Sequence, residues 1–197
     1  MCRILSMLCI NELPTEGKAI YLTFDDGPEP NITEIVLNIL NQYNAKATFF
    51  CTGENYEKYP DLVELIKNNG HSFGNHTYSH LNGLKENYET YIKDVIKSKK
   101  VIKNNLFRPP WGVLTIRKYF ELRKNNRIIL WNISSCDSNP NTNWEKHCQR
   151  MVNQTKSGSI VLFHFNMKHA NATMKILSIY LAKLDELNYK YYPITGL

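Results

Sequence analysis

Ile20-Tyr21-Leu22-Thr23-Phe24-Asp25-Asp26-Gly27-Pro28 begins as an apolar, β-rich run, reaches two neighbouring carboxylates and stops on a Gly-Pro pair. Ile20 to Phe24 reads as a strand buried on both faces, and Pro30-Asn31 precedes a helical pattern, so Asp25 and Asp26 sit where strand becomes loop. Asp-Asp-Gly-Pro alone is also an ordinary turn, because Asp and Gly favour turn geometry for local reasons. His76-Thr77-Tyr78-Ser79-His80 changes that reading. It follows the short β-like stretch Ser72-Phe73, and its i, i+4 spacing sets two imidazoles on the same side of a single turn. Two carboxylates and two imidazoles supply the ligands of one divalent metal ion and leave a carboxylate over as a base, a combination that implies hydrolysis.

Outward from that stretch, strand-like and helix-like segments alternate. A helix near Ile32 to Tyr43 is followed by a strand at Ala47 to Thr52, a helix at Pro60 to Asn69 and a third strand near His71 to Gly74. A helix from about Asn87 to Lys103, a short strand starting at Phe107 and a helix near Thr115 to Lys124 come next. Arg127 to Ile133 reads as the fifth strand, with Trp144 to Thr155 as its helix. Ser159 to Phe165 is a sixth, very apolar strand, followed by a helix from about Ala170 to Leu187 and a last strand at Tyr189 to Ile194. Seven strands alternating with helices imply a parallel α/β sheet, and closing it gives a TIM-barrel-like fold with its active site at the carboxyl ends of the strands. No linker, repeat or low-complexity tract interrupts the pattern, so residues 1–197 read as one domain with a core of about Lys18 to Pro193.

Composition narrows the classes further. The net charge of +6 comes from basic residues scattered among acids, densest at Lys97, Lys99, Lys100 and Lys103. On a helix that cluster reads as a solvated face, and no nucleic-acid motif accompanies it. Cys2, Cys9, Cys51, Cys136 and Cys148 form no CxxC pair, Cys51 reads as a small buried residue, and nothing requires an oxidising compartment. Met1 to Ile10 lacks the features of a signal peptide and is too short to cross a bilayer, so the expectation is a cytoplasmic protein or an exported one without its leader. The oligomeric state is not legible.

Two further segments fall at strand ends on the same rim: Arg108-Pro109-Pro110-Trp111-Gly112 after the fourth strand and Leu162-Phe163-His164 on the sixth. Together with Thr23-Phe24-Asp25-Asp26-Gly27 and His76-Thr77-Tyr78-Ser79-His80, in that order and spacing, they resemble the motifs of the polysaccharide deacetylases, the NodB-homology or carbohydrate esterase family 4 enzymes. The resemblance spans nearly the whole chain. It implies a distorted (β/α)7 barrel and metal-dependent removal of acetyl groups from an N-acetylated oligo- or polysaccharide such as chitin or peptidoglycan. Carried over by residue, it implies that Asp26, His76 and His80 hold the metal, commonly zinc, with cobalt, manganese or nickel able to serve. It also implies that Asp25 is the general base, Arg108 its orienting partner and His164 the general acid. Leu162 reads as core and, by the resemblance, lines the pocket for the acetyl methyl group.

The chemistry of these residue types agrees with those roles. A metal with three protein ligands keeps positions open and lowers the pKa of bound water from about 15.7 towards 7. Negative charge developing on the acetamide oxygen calls for donors already in place, for which the metal and the backbone N–H near Trp111 are the candidates. The departing amine needs a proton, which an imidazole can supply near neutral pH. Tyr78, Trp111 and Trp131 are candidates for stacking on sugar rings.

The chain also departs from the family pattern. Where many members carry Asp-x-x-Asp-Trp after the fifth strand, this sequence reads Ser134-Ser135-Cys136-Asp137-Ser138, and Phe165 follows His164 where many relatives have Asp. Ser134 cannot supply the charge that raises an imidazole pKa, so the expectation is a weaker acid at His164 with its optimum moved to lower pH. Two other readings stay open. One is a catalytically silent relative that binds glycans; the other is a non-haem iron oxidative enzyme, since two histidines and one carboxylate also form a facial triad.

Overall fold

The computed structural model describes residues 8–139 and 143–196. The opening stretch forms β1 (Ala19–Asp26), followed by α1 (Ile32–Gln42) and β2 (Ala47–Cys51). A short helix that the sequence reading did not anticipate, α2 (Gly53–Lys58), precedes α3 (Pro60–Asn68) and β3 (Ser72–Asn75). The chain continues through α4 (Tyr88–Val101), β4 (Leu106–Phe107), a 3-10 turn at Pro110–Gly112 and α5 (Ile116–Leu122). It ends with β5 (Arg127–Ile128), β6 (Ile133–Ser134), α6 (Trp144–Gln154), β7 (Ile160–His164), α7 (Ala170–Glu186) and β8 (Lys190–Tyr191). Cys2 and most of the N-terminal stretch judged against a signal peptide lie outside the described residues.

The strands pair in the order β5-β4-β3-β2-β1-β7-β6, every named pair parallel, and β8 pairs with the start of β1. The sheet curls into the expected (β/α)7 architecture with one correction. The continuous fifth strand read at Arg127 to Ile133 is broken into β5 and β6, which occupy opposite edges of the sheet. Residues 129–132 cross between them, bridged to the N-terminal segment where Leu130 N–H donates to Ile10 carbonyl at 2.7 Å. The two edges are thus linked by the chain itself, with no β5–β6 ladder among the described residues.

Register separates the two faces of β1. Because successive side chains alternate, Leu22 and Phe24 face outward, while Thr23 and Asp25 face the barrel interior. Phe24 is flanked in register by Phe49 and Phe163, and the three rings stack at 5.1 and 5.5 Å. This outer layer packs under α1 and α7 through Val36, Leu40, Ile176 and Tyr180. The interior is filled by Phe50, Leu106, Ile129, Ile160 and Ile194. Cys51 is buried in β2 as a small core residue, and Cys9, Cys136 and Cys148 are likewise free thiols. No helix among the described residues is long and apolar enough to cross a membrane.

Phe165, where the family pattern has Asp, is fully buried at the top of the outer layer, 4.9 Å from Phe49 edge-on. Its ring lies so close to Gly27 that a Cβ there would come within 2.5 Å of it, which explains the small residue after Asp26. Phe165→Ala is expected to cost about 3–5 kcal/mol of stability by opening a cavity in the aromatic layer. Urea denaturation checks this, and a loss below about 1 kcal/mol would mean the layer closes over the gap.

Candidate active site and metal centre

The carboxyl ends of the strands surround a cleft of about 750 Å³ whose lining includes Asp25, Asp26, His76, His80, Trp111, Leu162 and His164. Every catalytic and metal-ligand candidate read from the sequence is therefore here except Arg108, which lies fully buried behind Asp25. Its Nη1–H groups donate to Asp25 Oδ1 at 2.7 Å and Thr23 Oγ1 at 2.8 Å, Nε–H to Ile129 carbonyl at 3.2 Å and Nη2–H to Leu130 carbonyl at 3.0 Å. Thr23 Oγ1–H in turn donates a hydrogen bond to the Val161 carbonyl, and the guanidinium stacks 4.1 Å over Phe50. A buried cation so thoroughly satisfied fixes one oxygen of Asp25 and leaves Oδ2 facing the cleft, 3.9 Å from His76 Nε2.

Asp26, next in sequence, has a different environment because its backbone leaves the strand with φ of 88°. Its carbonyl accepts from Thr52 N–H, Thr52 Oγ1–H and Asn55 Nδ2–H, which pins this left-handed residue. Its Oδ1 lies 3.6 Å from His76 Nε2 and 3.1 Å from His80 Nε2. Burial alone would raise this carboxyl, but the hydrogen bond with His80 and the surrounding imidazoles hold it far below the usual range.

His76 and His80 are not on a helical turn, as the i, i+4 spacing suggested. They flank a bend in which Thr77 and His80 have φ of 63° and 54°. The bend is held from outside: Asp94 Oδ1 accepts from Tyr78 N–H at 2.7 Å and Ser79 N–H at 3.2 Å, and Thr77 carbonyl accepts from Gly53 N–H at 2.9 Å. The outcome for the imidazoles is the same, since their centroids lie 5.1 Å apart. His76 Nδ1–H donates to the Arg108 carbonyl at 2.8 Å, which fixes the tautomer with the Nε2 lone pair towards Asp26. Burial pushes this imidazole down to about 4, against the pull of Asp25 and Asp26, so it is neutral at physiological pH.

These three donors suit a metal ion. A four-coordinate ion with bonds of about 2.0–2.1 Å needs its ligand atoms about 3.3 Å apart, which the 3.1 and 3.6 Å separations bracket. Asp26, His76 and His80 each present one ligand atom, all within 4.8 Å of one another. Trp111 packs against this group with its ring centroid 4.5 Å from that of His80. It is more than half exposed and has φ of 57°.

The opposite wall corrects the expectation of a weakened acid. Asp137 Oδ1 accepts from His164 Nδ1–H at 2.7 Å, Asp137 Oδ2 accepts from His164 N–H at 2.8 Å, and Thr173 Oγ1 lies 3.0 Å from Oδ2. Burial opposes an imidazolium, but the hydrogen bond and charge of Asp137, with Asp25 and Asp26 beyond, raise His164 to about 9. The charge that Ser134 lacks is supplied three residues later. Ser134 lines the cleft, and its hydroxyl accepts from Cys136 N–H.

Of the other candidates, Trp131 also lines the cleft, whereas Tyr78 does not: its hydroxyl donates to Glu57 and Lys97 covers its ring at 3.3 Å. His71 accepts the Ala47 N–H and packs edge-on against Phe49, as a structural residue. The sequence reading missed Asn166, whose Nδ2–H donates to Asp26 Oδ2. Its place two residues beyond His164 at the end of an apolar strand was the available signal.

The polysaccharide deacetylase family model matches residues 12–125. A peptidoglycan-N-acetylglucosamine deacetylase of Bacillus cereus is 33% identical over 94% of this chain and 91% of that protein. A second protein of that name from the same organism is 35% identical over 77% of this chain, but the alignment spans only 57% of that longer protein. A crystal structure of a peptidoglycan N-acetylglucosamine deacetylase in complex with 4-naphthalen-1-yl-N-oxidanyl-benzamide superposes with a TM-score of 0.85 at 29% identity, covering 94% of this chain and 90% of that one.

A pH titration tests the acid wall. With the folded value of His164 above its ordinary 6.5, the stabilisation from its pair with Asp137 is complete below about 6.5 and disappears as pH climbs through about 9. Asp137, held below its ordinary 3.8, stabilises above that value and ceases to do so as pH falls through its depressed one. Asp137→Asn is expected to lower the His164 titration measured by NMR on metal-free protein. An unchanged midpoint would show that Asp137 does not tune it.

Proposed function

This chain belongs to the polysaccharide deacetylase family, and we propose on that premise that it is a metal-dependent N-deacetylase of an N-acetylated glycan, of the GlcNAc-containing peptidoglycan or chitin-like class, releasing acetate. The observation that carries the reading is the pairing of two adjacent aspartates with different partners: Asp25 with buried Arg108, Asp26 with two imidazoles. One carboxylate is thereby kept out of the metal group while its Oδ2 stays 3.9 Å from His76 Nε2. Asp26, His76 and His80 would hold the ion, for which zinc is proposed from the donor set of two imidazoles and a carboxylate, with cobalt, manganese or nickel as substitutes. Bound there, it would acidify water and polarise the acetamide carbonyl.

The remaining steps belong to the chain's own residues. Asp25 accepts the proton of the attacking water on Oδ2, the oxygen that Arg108 does not occupy. The backbone N–H near Trp111 is assigned to the carbonyl oxygen as negative charge builds on it, a role whose loss typically costs about 3 kcal/mol. Leu162, buried in the cleft wall beside His164, receives the acetyl methyl. As the C–N bond breaks, His164 donates its Nε2 proton to the departing amine, and Asp137 stabilises the charged imidazole until then. The products are acetate and a free amino sugar, which accounts for every atom of substrate and water. The silent glycan binder and the iron oxidative enzyme are the less favoured readings, because Asp25 with Arg108 and His164 with Asp137 stand beside the Asp26, His76 and His80 group.

The test is acetate release from a panel of N-acetylated oligosaccharides and peptidoglycan fragments by metal-reconstituted protein. Asp25→Asn is expected to lower kcat by roughly 10²–10⁴-fold while metal content stays unchanged. Chelation should abolish release and added zinc restore it. Release by the wild type no greater than by Asp25→Asn on every panel member would leave only the glycan-binding reading.

A further inference from the structure

Asp26 has two carboxylate oxygens and the imidazoles face only one of them. Oδ1 looks towards His76 and His80, whereas Oδ2 accepts the Nδ2–H of Asn166. The orientation of the Asn166 amide is set by its own Oδ1, which accepts the His169 N–H at 3.1 Å in front of α7, a donor it shares with the Asn166 carbonyl at 3.2 Å. With the acceptor end committed to the backbone, the donor end points at the carboxylate. The segment that carries it is tied down on both sides. Phe165 is locked in the aromatic layer and its N–H donates to the Asp25 carbonyl at 3.1 Å, and Met167 N–H donates to Glu29 Oε2 at 2.8 Å. The loop after β7 is thus stitched to the loop after β1, with Asn166 in the middle.

We propose that Asn166 is a positioning residue for the metal site: by occupying Oδ2 it makes Asp26 a one-oxygen ligand and fixes the direction of Oδ1. Without that donor, the carboxylate turns about its last bond, presents both oxygens to the ion and occupies a coordination position that water and substrate need. The inference rests on the metal reading of the site and deepens it. Partners that orient a ligand in this way typically alter metal affinity by roughly 10–100-fold when removed.

Two variants of the full chain separate this role from that of a loop cap. Asn166→Ala loses both the side-chain cap on His169, whose N–H keeps the backbone carbonyl of residue 166, and the donor to Asp26. Asn166→Ser keeps an oxygen able to cap His169 N–H but is too short to reach Asp26, so it isolates the donor. Zinc affinity is measured by competition with a chromophoric chelator, coordination by the visible spectrum of the Co(II)-loaded protein, and folding by thermal melting without metal. Both variants are expected to bind zinc roughly 10–100-fold more weakly and to give a weaker Co(II) band than wild type, as coordination number rises. Asn166→Ser should melt with the wild type, and if Asn166→Ala does not fold, Asn166→Ser decides alone. Wild-type affinity and spectrum in Asn166→Ser would overturn the proposal while leaving the deacetylase reading intact. A wild type that takes up neither ion would overturn both.

Discussion

The buried pair of Arg108 and Asp25 constrains everything around it. A guanidinium with no exposure tolerates burial only if it finds acceptors, and Arg108 donates four of its five N–H groups, to Thr23, Asp25, Ile129 and Leu130. Two of those acceptors are consecutive backbone carbonyls. In a regular strand, successive carbonyls point to opposite sides, so Ile129 and Leu130 cannot serve one guanidinium and also continue a ladder. The break between β5 and β6 follows from that demand. The same carbonyls that leave the sheet line the interior at the level of Asp25, so the sheet gives up a piece of its fifth strand to seat the charge.

A second division follows from the first. Asp25 and Asp26 are neighbours, and like charges so close would raise one carboxyl if they shared an environment. They do not. Asp25 keeps strand geometry and points inward to Arg108; Asp26 adopts φ of 88° and turns to His76 and His80. Gly27, held small by Phe165, lets the chain leave at that angle. Identical side chains thus acquire different chemistry from one backbone rotation.

This division was partly legible in the sequence. Alternating apolar segments bounded by Gly, Pro and Asn revealed the strand–helix order, because burial on two faces writes itself as a run of β-branched and aromatic residues. The four loaded strand ends were legible because functional side chains at a rim interrupt such runs. What escaped depends on long-range geometry. The fifth strand reads as continuous because its residues are apolar, and nothing local says that Arg108, some twenty positions earlier, claims its carbonyls. The bend of His76 to His80 imitates a helical spacing, although its shape comes from Asp94 on α4. Asp137 was visible as an acid, but that it reaches both Nδ1 and the backbone N–H of His164 depends on where β6 lies beside β7. Asn166 offered only its position after a strand.

Asp25 and His164 are partners in register on adjacent parallel strands, both on the interior face, with backbones about 4.8 Å apart. A carboxylate and an imidazolium in that relation would ordinarily pair with each other. The pairing would occupy Asp25 and hold the His164 proton, leaving neither free for the roles proposed for them. Each is instead drawn aside by a partner of its own: Asp25 by Arg108 from beneath, His164 by Asp137 from the flank. The two outer groups oppose in sign the groups they hold, and Asp137 also favours the protonated form of His164 while the space between stays open. The cleft therefore exists because two neighbouring charges are each more strongly engaged elsewhere, and its chemistry depends on both engagements at once.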